Sequence, residues 1–444
     1  MISTTPAPER AILVQTTSNP KGRSLDRDLA GRLLEELHHL AASAGLEPVG
    51  RHLFPMTRLD SARYLSSARI DTLRQDLDTL QAGVLVINHP LSPVQQRNLE
   101  RDLGVKVVDR TGIILEIFAA RARTREGRLQ VELASLLYQQ SRLVRSWTHL
   151  ERQRGGVGVR GGPGETQIEL DRRQIRQRIA RLKRELEEVE RTRGLQRRSR
   201  VEMPLYTAVL VGYTNAGKST LFNRLTQAEV VARDQLFATL DPTLRQVALP
   251  RGGRLILGDT VGFVRDLPHQ LVAAFRATLE EVRVADLLVH VVDVSDPEMD
   301  TQMAAVDAVL RELEVTDKPM LLAYNKIDQI DPEQAEGLLT RLVERGNAVA
   351  LSALDGRGIG DLLQRLESLV AAGWTRWELY LPYSEGALSA RLCREGRVLH
   401  RSEVDTGVAL TVELPAASAG RLQSSLETFG HKITPEGKKS PPPP

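Results

Sequence analysis

Cysteine is nearly absent from this chain: one residue, Cys393, in 444. A lone thiol closes no internal disulfide and builds no thiolate metal cluster, so the fold must be held by its core, where Cys393 is expected as a small packed residue. Aromatic residues are scarce too, at 4%. That argues against stacking of bases on side chains as a main mode of binding. No apolar run approaches the roughly 20 residues a bilayer span needs, and residues 1–23 hold no apolar signal core. A cytoplasmic chain without a membrane span is expected. Neither sign of charge dominates, since 60 Lys and Arg face 57 Asp and Glu for a formal net charge of +3. Basicity can matter only where it is concentrated.

What is present suffices for about two to four domains, because 41% hydrophobic residues over this length can build several cores. From Ala11 to Phe118, short β-branched runs (Ile12 to Val14, Val84 to Ile87, Val105 to Val108) alternate with helix-length segments (Asp26 to Ala44, Ser92 to Leu103). The alternation predicts a small parallel α/β domain over residues 1–120. His38, His39, His52 and His89 are scattered without metal-ligand spacing and read as solvated or packed. Then the period changes. Leu129, Leu133, Leu136, Leu143, Trp147 and Leu150, and again Ile175, Ile179, Leu182, Leu186 and Val189, recur at helical spacing. Between them Arg154 to Gly164 is too rich in glycine for helix, so residues 121–200 are expected as a long antiparallel helical hairpin with a basic, Gly-rich tip. Arginines crowd Asp171 to Arg184 and Arg191 to Arg200. A solvated helix face would carry such a stripe as well, but Arg154 and Arg160 on a conformable loop suit a phosphate backbone.

Residues 201–373 form a further α/β unit, and its first loop carries chemistry. Gly212-Tyr213-Thr214-Asn215-Ala216-Gly217-Lys218-Ser219 follows a strand-like run ending at Val211 and opens a helix-like segment, Ser219 to Leu225. Backbone N–H groups of such a loop converge on an anion at the positive end of the helix dipole. Lys218 can then reach the outer phosphates, and the Ser219 hydroxyl is short enough to ligate a magnesium ion held by them. A Gly-rich turn that binds nothing has the same spacing, but three further motifs stand downstream. Phe237-Ala238-Thr239-Leu240-Asp241-Pro242-Thr243 lies between periodic segments as a loop with two candidate threonines. After the strand Arg254 to Leu257 comes Asp259-Thr260-Val261-Gly262, in which Asp259 can hold magnesium through water and the Gly262 N–H can meet the γ-phosphate.

After the apolar runs Leu287 to Val294 and Met320 to Tyr324 comes Asn325-Lys326-Ile327-Asp328. A carboxylate at Asp328 accepts two hydrogen bonds from guanine that adenine cannot supply, and a buried acceptor left unpaired costs about 1–3 kcal/mol. GTP and GDP are therefore the expected ligands. Ser352-Ala353-Leu354, after the strand Ala348 to Leu351, is placed to offer a backbone N–H to the guanine oxygen. Beyond Trp374, residues 374–435 read as a small α+β domain with strands Trp377 to Leu381, Ala390 to Cys393, Arg397 to Leu399 and Val408 to Leu414 and a helix from Ala417 to Phe429. Residues 436–444, ending in four prolines, read as a disordered tail.

Taken together, these residues closely resemble the HflX GTPases, ribosome-associated members of the translation-factor-related G proteins. The resemblance spans nearly the whole chain. Outside the nucleotide motifs it is carried by Leu91-Ser92-Pro93 with Gln96 to Glu100, Asp109-Arg110-Thr111-Gly112, Ala122 to Gly127, Gln130 to Ala134, and Arg160 to Gln167. It implies a P-loop GTPase domain flanked by the other three, probing the large ribosomal subunit and its RNA with the amino-terminal domain and hairpin. It further implies a factor that splits or rescues stalled ribosomes under stress; a monomer is expected. Of the two threonines it selects Thr239 as the second magnesium ligand beside Ser219, with Thr243 the alternative; together with the motif readings above, Lys218, Thr239 and Gly262 make up the expected catalytic set. A GTP-gated RNA-binding scaffold and an RNA-modification GTPase are the rival readings. Two stretches depart from the family pattern, Tyr64 to Arg69 and Asn88-His89-Pro90, which withdraws support for a second nucleotide in the amino-terminal domain. Phe263 stands where many small GTPases carry a water-orienting glutamine, and no pattern fixes Arg265 against a phosphate.

Overall fold

The computed structural model describes residues 8–17, 26–56, 60–145, 163–201, 206–227, 237, 243–250, 253–265, 279–331, 337, 340, 344, 346–372, 374–415, 419–420 and 422–433. Most of the expected hairpin tip, together with Ala238, Thr239, Leu240 and Asp241 and the tail 436–444, lies outside the described residues.

Three sheets organise what is described. The first contains β1 (Arg10–Thr16), β2 (Glu47–Phe54), β3 (Val84–Ile87) and β4 (Lys106–Asp109), all parallel in the order β2-β1-β3-β4. β1 is buried from Ala11 onward and β3 throughout, which is why they read as unbroken apolar runs. β2 gave no such signal. It is an edge strand with no fully buried residue, and Pro48 and Gly50 are tolerated there because one side of its ladder is unpaired. Around this sheet pack α1 (Arg27–Ser43), α2 (Ser67–Thr79), α3 (Pro93–Leu103) and α4 (Arg110–Arg121). α3 begins with a reciprocal capping box between Ser92 and Gln95 and stops at Gly104, whose φ of 72° is left-handed. The two stretches that depart from the family pattern meet: the Tyr64 ring stacks on His89 at 4.8 Å, and its hydroxyl bonds Thr16 Oγ1 at 2.8 Å.

The hairpin is formed by α5 (Arg125–Arg145) and a 39-residue helix, Pro163–Val201. Its seam is Leu129 and Leu133 against Ile179, Leu182 and Leu186. Glu132 pairs with Arg178 at 2.7 Å while Arg125 lies in the field of Glu185, so the helices run antiparallel. The second helix starts within the expected tip, at Pro163, because proline suits a first helical turn and Gly164 follows inside it.

The central sheet has the order β10-β9-β8-β5-β7-β6. β5 (Tyr206–Val211), β7 (Arg254–Asp259), β8 (Leu287–Asp293), β9 (Met320–Asn325) and β10 (Ala348–Ala350) are parallel, and the edge strand β6 (Thr243–Ala248) is antiparallel. The last sheet, β11 (Trp374–Pro382), β12 (Arg397–Val404), β13 (Gly407–Pro415) and β14 (Gly430–Ile433), is wholly antiparallel in the order β12-β13-β11-β14. With helices Gly386–Glu395 and Gln423–Phe429 it makes a βαββαβ unit. One expectation fails here. Ala390 to Cys393 is helix, not strand, and on that helix Leu392 points into the core while Cys393 is exposed. The expected carboxyl-terminal helix is present at Ala419 and Gly420 and again over Gln423–Phe429, with Leu422 a turn between them.

One hydrophobic cluster runs from the first sheet into the central one. It joins Leu13, Leu37, Ile114 and Phe118 to Val211, Phe237, Val261 and Phe263, with the Phe118 and Phe237 rings edge to face at 4.6 Å. The amino-terminal domain is therefore packed on the nucleotide side of the central sheet.

Candidate nucleotide site

β5 delivers the chain into the loop Gly212 to Ser219, and the helix Lys218–Thr226 leaves it. Gly217 takes φ 92°, and a Cβ there would overlap the Asn325 amide. Gly262 is needed for approach, since its Cβ would lie 2.7 Å from Thr214 Cα. The loop and the Asp259–Gly262 segment are zipped by backbone bonds, Thr214 N–H to Phe263 O at 2.7 Å and Phe263 N–H to Gly212 O at 3.1 Å. Thr260 Oγ1 donates to Leu210 O at 2.6 Å.

Lys218 is buried and donates to the carbonyls of Gly212 and Tyr213 at 3.1 and 2.8 Å. Burial pulls its ammonium down to about 8, against the attraction of Asp259. Ser219 Oγ donates to Asp259 Oδ2 at 2.8 Å, which sets two hard oxygen donors side by side. Thr243, the alternative threonine, is the first residue of β6 and lies opposite Asp259 in register. Thr214 Oγ1 accepts the Phe237 N–H at 3.0 Å, and Phe237 itself sits at φ 56°, a costly conformation for a bulky residue. His290, next to Val211 in the neighbouring strand, is buried and pulled down to about 4, so it stays neutral.

The base side is equally ordered. Asn325 Nδ2 donates to Ala216 O at 2.8 Å, and its Oδ1 accepts the Ala353 N–H at 2.9 Å, so one amide ties the phosphate loop to the Ser352-Ala353-Leu354 loop. The Ser352 N–H goes to Arg357 O. Lys326, left-handed at φ 66°, pairs with Asp293 at 2.7 Å. Asp328 follows in the short 3₁₀ turn Ile327–Gln329, and its Oδ1 is shielded from solvent with no hydrogen-bond partner among the described residues. Leu354 is exposed. Arg224 clamps this loop from below, donating to Ala353 O at 2.7 Å and to Leu354 O. Sequence reading passed over Arg224, although it lies on the helix that the phosphate loop opens.

Two further residues, one of them the Arg110 already quoted as part of a family-like stretch, had no role at the site read from sequence because their partners are remote. Glu36 of α1 accepts the Tyr213 hydroxyl at 2.7 Å, and Arg110 donates to Glu36 at 3.0 Å and to Arg265 O at 3.3 Å. Burial opposes ionisation of Glu36, but Arg110, the Tyr213 hydroxyl and Arg265 hold its carboxyl below the usual range. Arg265 is correspondingly fixed: its N–H donates to Tyr213 Oη at 3.1 Å and its guanidinium to Glu298 at 2.8 Å.

With a glycine-built strand-to-helix loop at one end of the sheet's carboxyl edge and the Asn325 to Asp328 turn with its shielded carboxylate at the other, the class is settled: this is a P-loop GTPase. Residues 32–119 match the family described as GTP-binding GTPase N-terminal, 121–200 the GTP-binding GTPase Middle Region, and 207–326 the 50S ribosome-binding GTPase. The chain is 55% identical over 433 residues to the GTPase HflX of Magnetococcus marinus, covering 98% of this chain and 99% of that one. It is 46% identical over 403 residues to the GTPase HflX of Escherichia coli strain K12, covering 89% and 92%. The chain belongs to the HflX family of GTPases. A solved structure of a GTP-binding protein from Sulfolobus solfataricus in complex with GDP is similar over 81% of this chain and 98% of its own, at 24% identity and a TM-score of 0.44.

Proposed function

We propose that this GTPase binds the large ribosomal subunit through its helical hairpin and amino-terminal domain and uses GTP hydrolysis to split or rescue stalled ribosomes. The observation that carries this reading is the pairing of the guanine-nucleotide edge with a long helix on which Arg173, Arg176, Arg181, Lys183 and Arg184 are all exposed. That stripe suits RNA phosphate, and the family matched over residues 207–326 is described as 50S ribosome-binding. No described helix is long and apolar enough to cross a membrane.

At the site, the loop amides and Lys218 would hold the β- and γ-phosphates, and the Gly262 N–H would meet the γ-phosphate. Asp328 would accept the guanine N1–H and amine, with the Ser352 to Leu354 loop beside the guanine oxygen. Ser219 Oγ and the Asp259 carboxylate fit a magnesium ion, and Thr239 is the further ligand assigned by the family resemblance. When bound, the ion would offset phosphate charge. Phe263 offers no group to orient water, and hydrolysis in isolation should be slow until the ribosome orders the site or supplies a group.

The test is co-sedimentation of purified large subunits with the protein in GTP, GDP and a non-hydrolysable analogue, paired with gradient analysis of intact ribosomes. Nucleotide-dependent pelleting with conversion of intact ribosomes to subunits is expected. Pelleting that ignores the nucleotide, with no splitting, would overturn the reading in favour of an RNA-binding scaffold.

A further inference from the structure

Asp109 and Arg110 are adjacent in sequence yet face opposite ways. Asp109 ends β4, is almost fully buried and caps α4 through the Gly112 N–H at 2.8 Å. Its two oxygens hold the carboxyl-terminal half of α5, the first helix of the hairpin: Tyr138 Oη at 2.6 Å and Arg142 at 2.6 Å, with the Leu91 N–H at 3.0 Å completing the set. The Arg142 guanidinium also lies over the Tyr138 ring at 4.0 Å. Arg110, one peptide bond on, sends its guanidinium to the nucleotide side. It reaches Asn88 Oδ1 at 2.7 Å, Glu36 at 3.0 Å and the Arg265 carbonyl at 3.3 Å, and Glu36 in turn holds the Tyr213 hydroxyl of the phosphate loop. The other end of α4 presents Phe118 to Phe237, at the head of the segment that carries Thr239. α4 thus touches the hairpin on one side and, on the other, Phe237 and the Arg265 carbonyl directly and the phosphate loop through Glu36 of α1.

We propose that Arg110 is a positioning residue for the phosphate loop and the Arg265 segment, and that the Asp109–Arg110 pair couples the position of the hairpin to retention of guanine nucleotide. The physical ground is that α4 is capped and clamped at the same residue. Any shift of α5 that drags Tyr138 and Arg142 moves the Asp109 carboxylate, and with it the first turn of α4 from which Arg110 extends. A planar guanidinium serving three acceptors tolerates little displacement before bonds are lost. The physiological meaning rests on the proposed ribosome binding by the hairpin; the coupling itself does not.

The first experiment therefore uses the isolated full chain and reads dissociation of a fluorescent GDP analogue alongside the melting temperature. Arg110→Gln and Arg142→Gln should each release GDP roughly 3- to 10-fold faster, and the double variant no faster than the more affected single one, because both cuts sever the same chain of contacts. Arg110→Lys keeps the buried charge but not the fork, so it should melt close to wild type and still release GDP faster. Wild-type GDP release in Arg110→Lys, or simple multiplication of the two effects in the double variant, would overturn the coupling. The second experiment adds large subunits. Wild-type release should change on binding and the change should shrink in Arg142→Gln. A variant that pellets with large subunits and responds as wild type does refutes the relay. If wild type itself fails to pellet, the ribosome reading falls and the isolated-chain result alone decides the coupling.

Discussion

At Asp328 a shielded carboxylate oxygen lacks a partner among the described residues, a situation that guanine's N1–H and amine would remedy. Asp328→Asn replaces an acceptor with a donor, and GTP should bind weaker by about 1–3 kcal/mol while xanthosine triphosphate gains. Competition binding with both nucleotides checks this, and equal GTP affinity in the variant would rule out the assignment. Lys218 makes a pH prediction. Its ammonium is pulled down to about 8, so the charged form prevails below that value and is lost above it. GTP affinity should fall as pH rises through 8, and Lys218→Met should lose both the affinity and the slope. At Phe263 the structure changes what a substitution means. The ring is buried in the core shared with Val261 and Phe237, so Phe263→Gln should not install a water-orienting glutamine. It should cost about 3–5 kcal/mol of stability by emptying packed space and burying an amide. A melting temperature like wild type with faster turnover would contradict this.

At the scale of elements, the helical hairpin was legible because leucines and isoleucines at helical spacing need a partner face, and the chain supplies one. Its function can be separated from that of the nucleotide edge. Deleting residues 155–162, which stops short of the helix beginning at Pro163, should spare hydrolysis by the isolated chain and abolish ribosome splitting. Affinity of the intact chain for large subunits should fall steeply with salt, each neutralised phosphate releasing about one counterion. Splitting at the wild-type rate by the deletion variant would count against the hairpin's role. The carboxyl-terminal unit shows why period can mislead: Ala390 to Cys393 is too short to distinguish strand from helix, and packing of Leu392 against the sheet chose the helix.

For the whole molecule, the decisive feature is that the parallel amino-terminal sheet and the mainly parallel central sheet are joined through one core and through the Glu36, Arg110, Tyr213 and Arg265 bonds. Glu36 has its carboxyl lowered from 4.5; burial opposes this, but Arg110 leads the groups that outweigh it. The stability it lends is fully present above 4.5 and is lost as pH falls through the lower folded value. Glu36→Gln should lower the melting temperature near neutrality and flatten its decline in acid, a comparison that thermal melts over that range decide. An unchanged acid profile would remove Glu36 from the interdomain contact.

The nucleotide motifs could be read from sequence because their chemistry is written in short spacings: Gly212 to Ser219, Asp259 to Gly262 and Asn325 to Asp328 each sit in a local turn that backbone geometry dictates. What surrounds them could not. Arg224 beneath the base loop is 129 residues from the Ala353 carbonyl it binds, and Glu36 is 177 residues from Tyr213. No periodicity names a partner at that distance. Glu36 on its helix face carries the same local signal as its neighbour Glu35, whether it meets water or a phosphate loop, and only the close packing of α1 and α4 against the central sheet decided which.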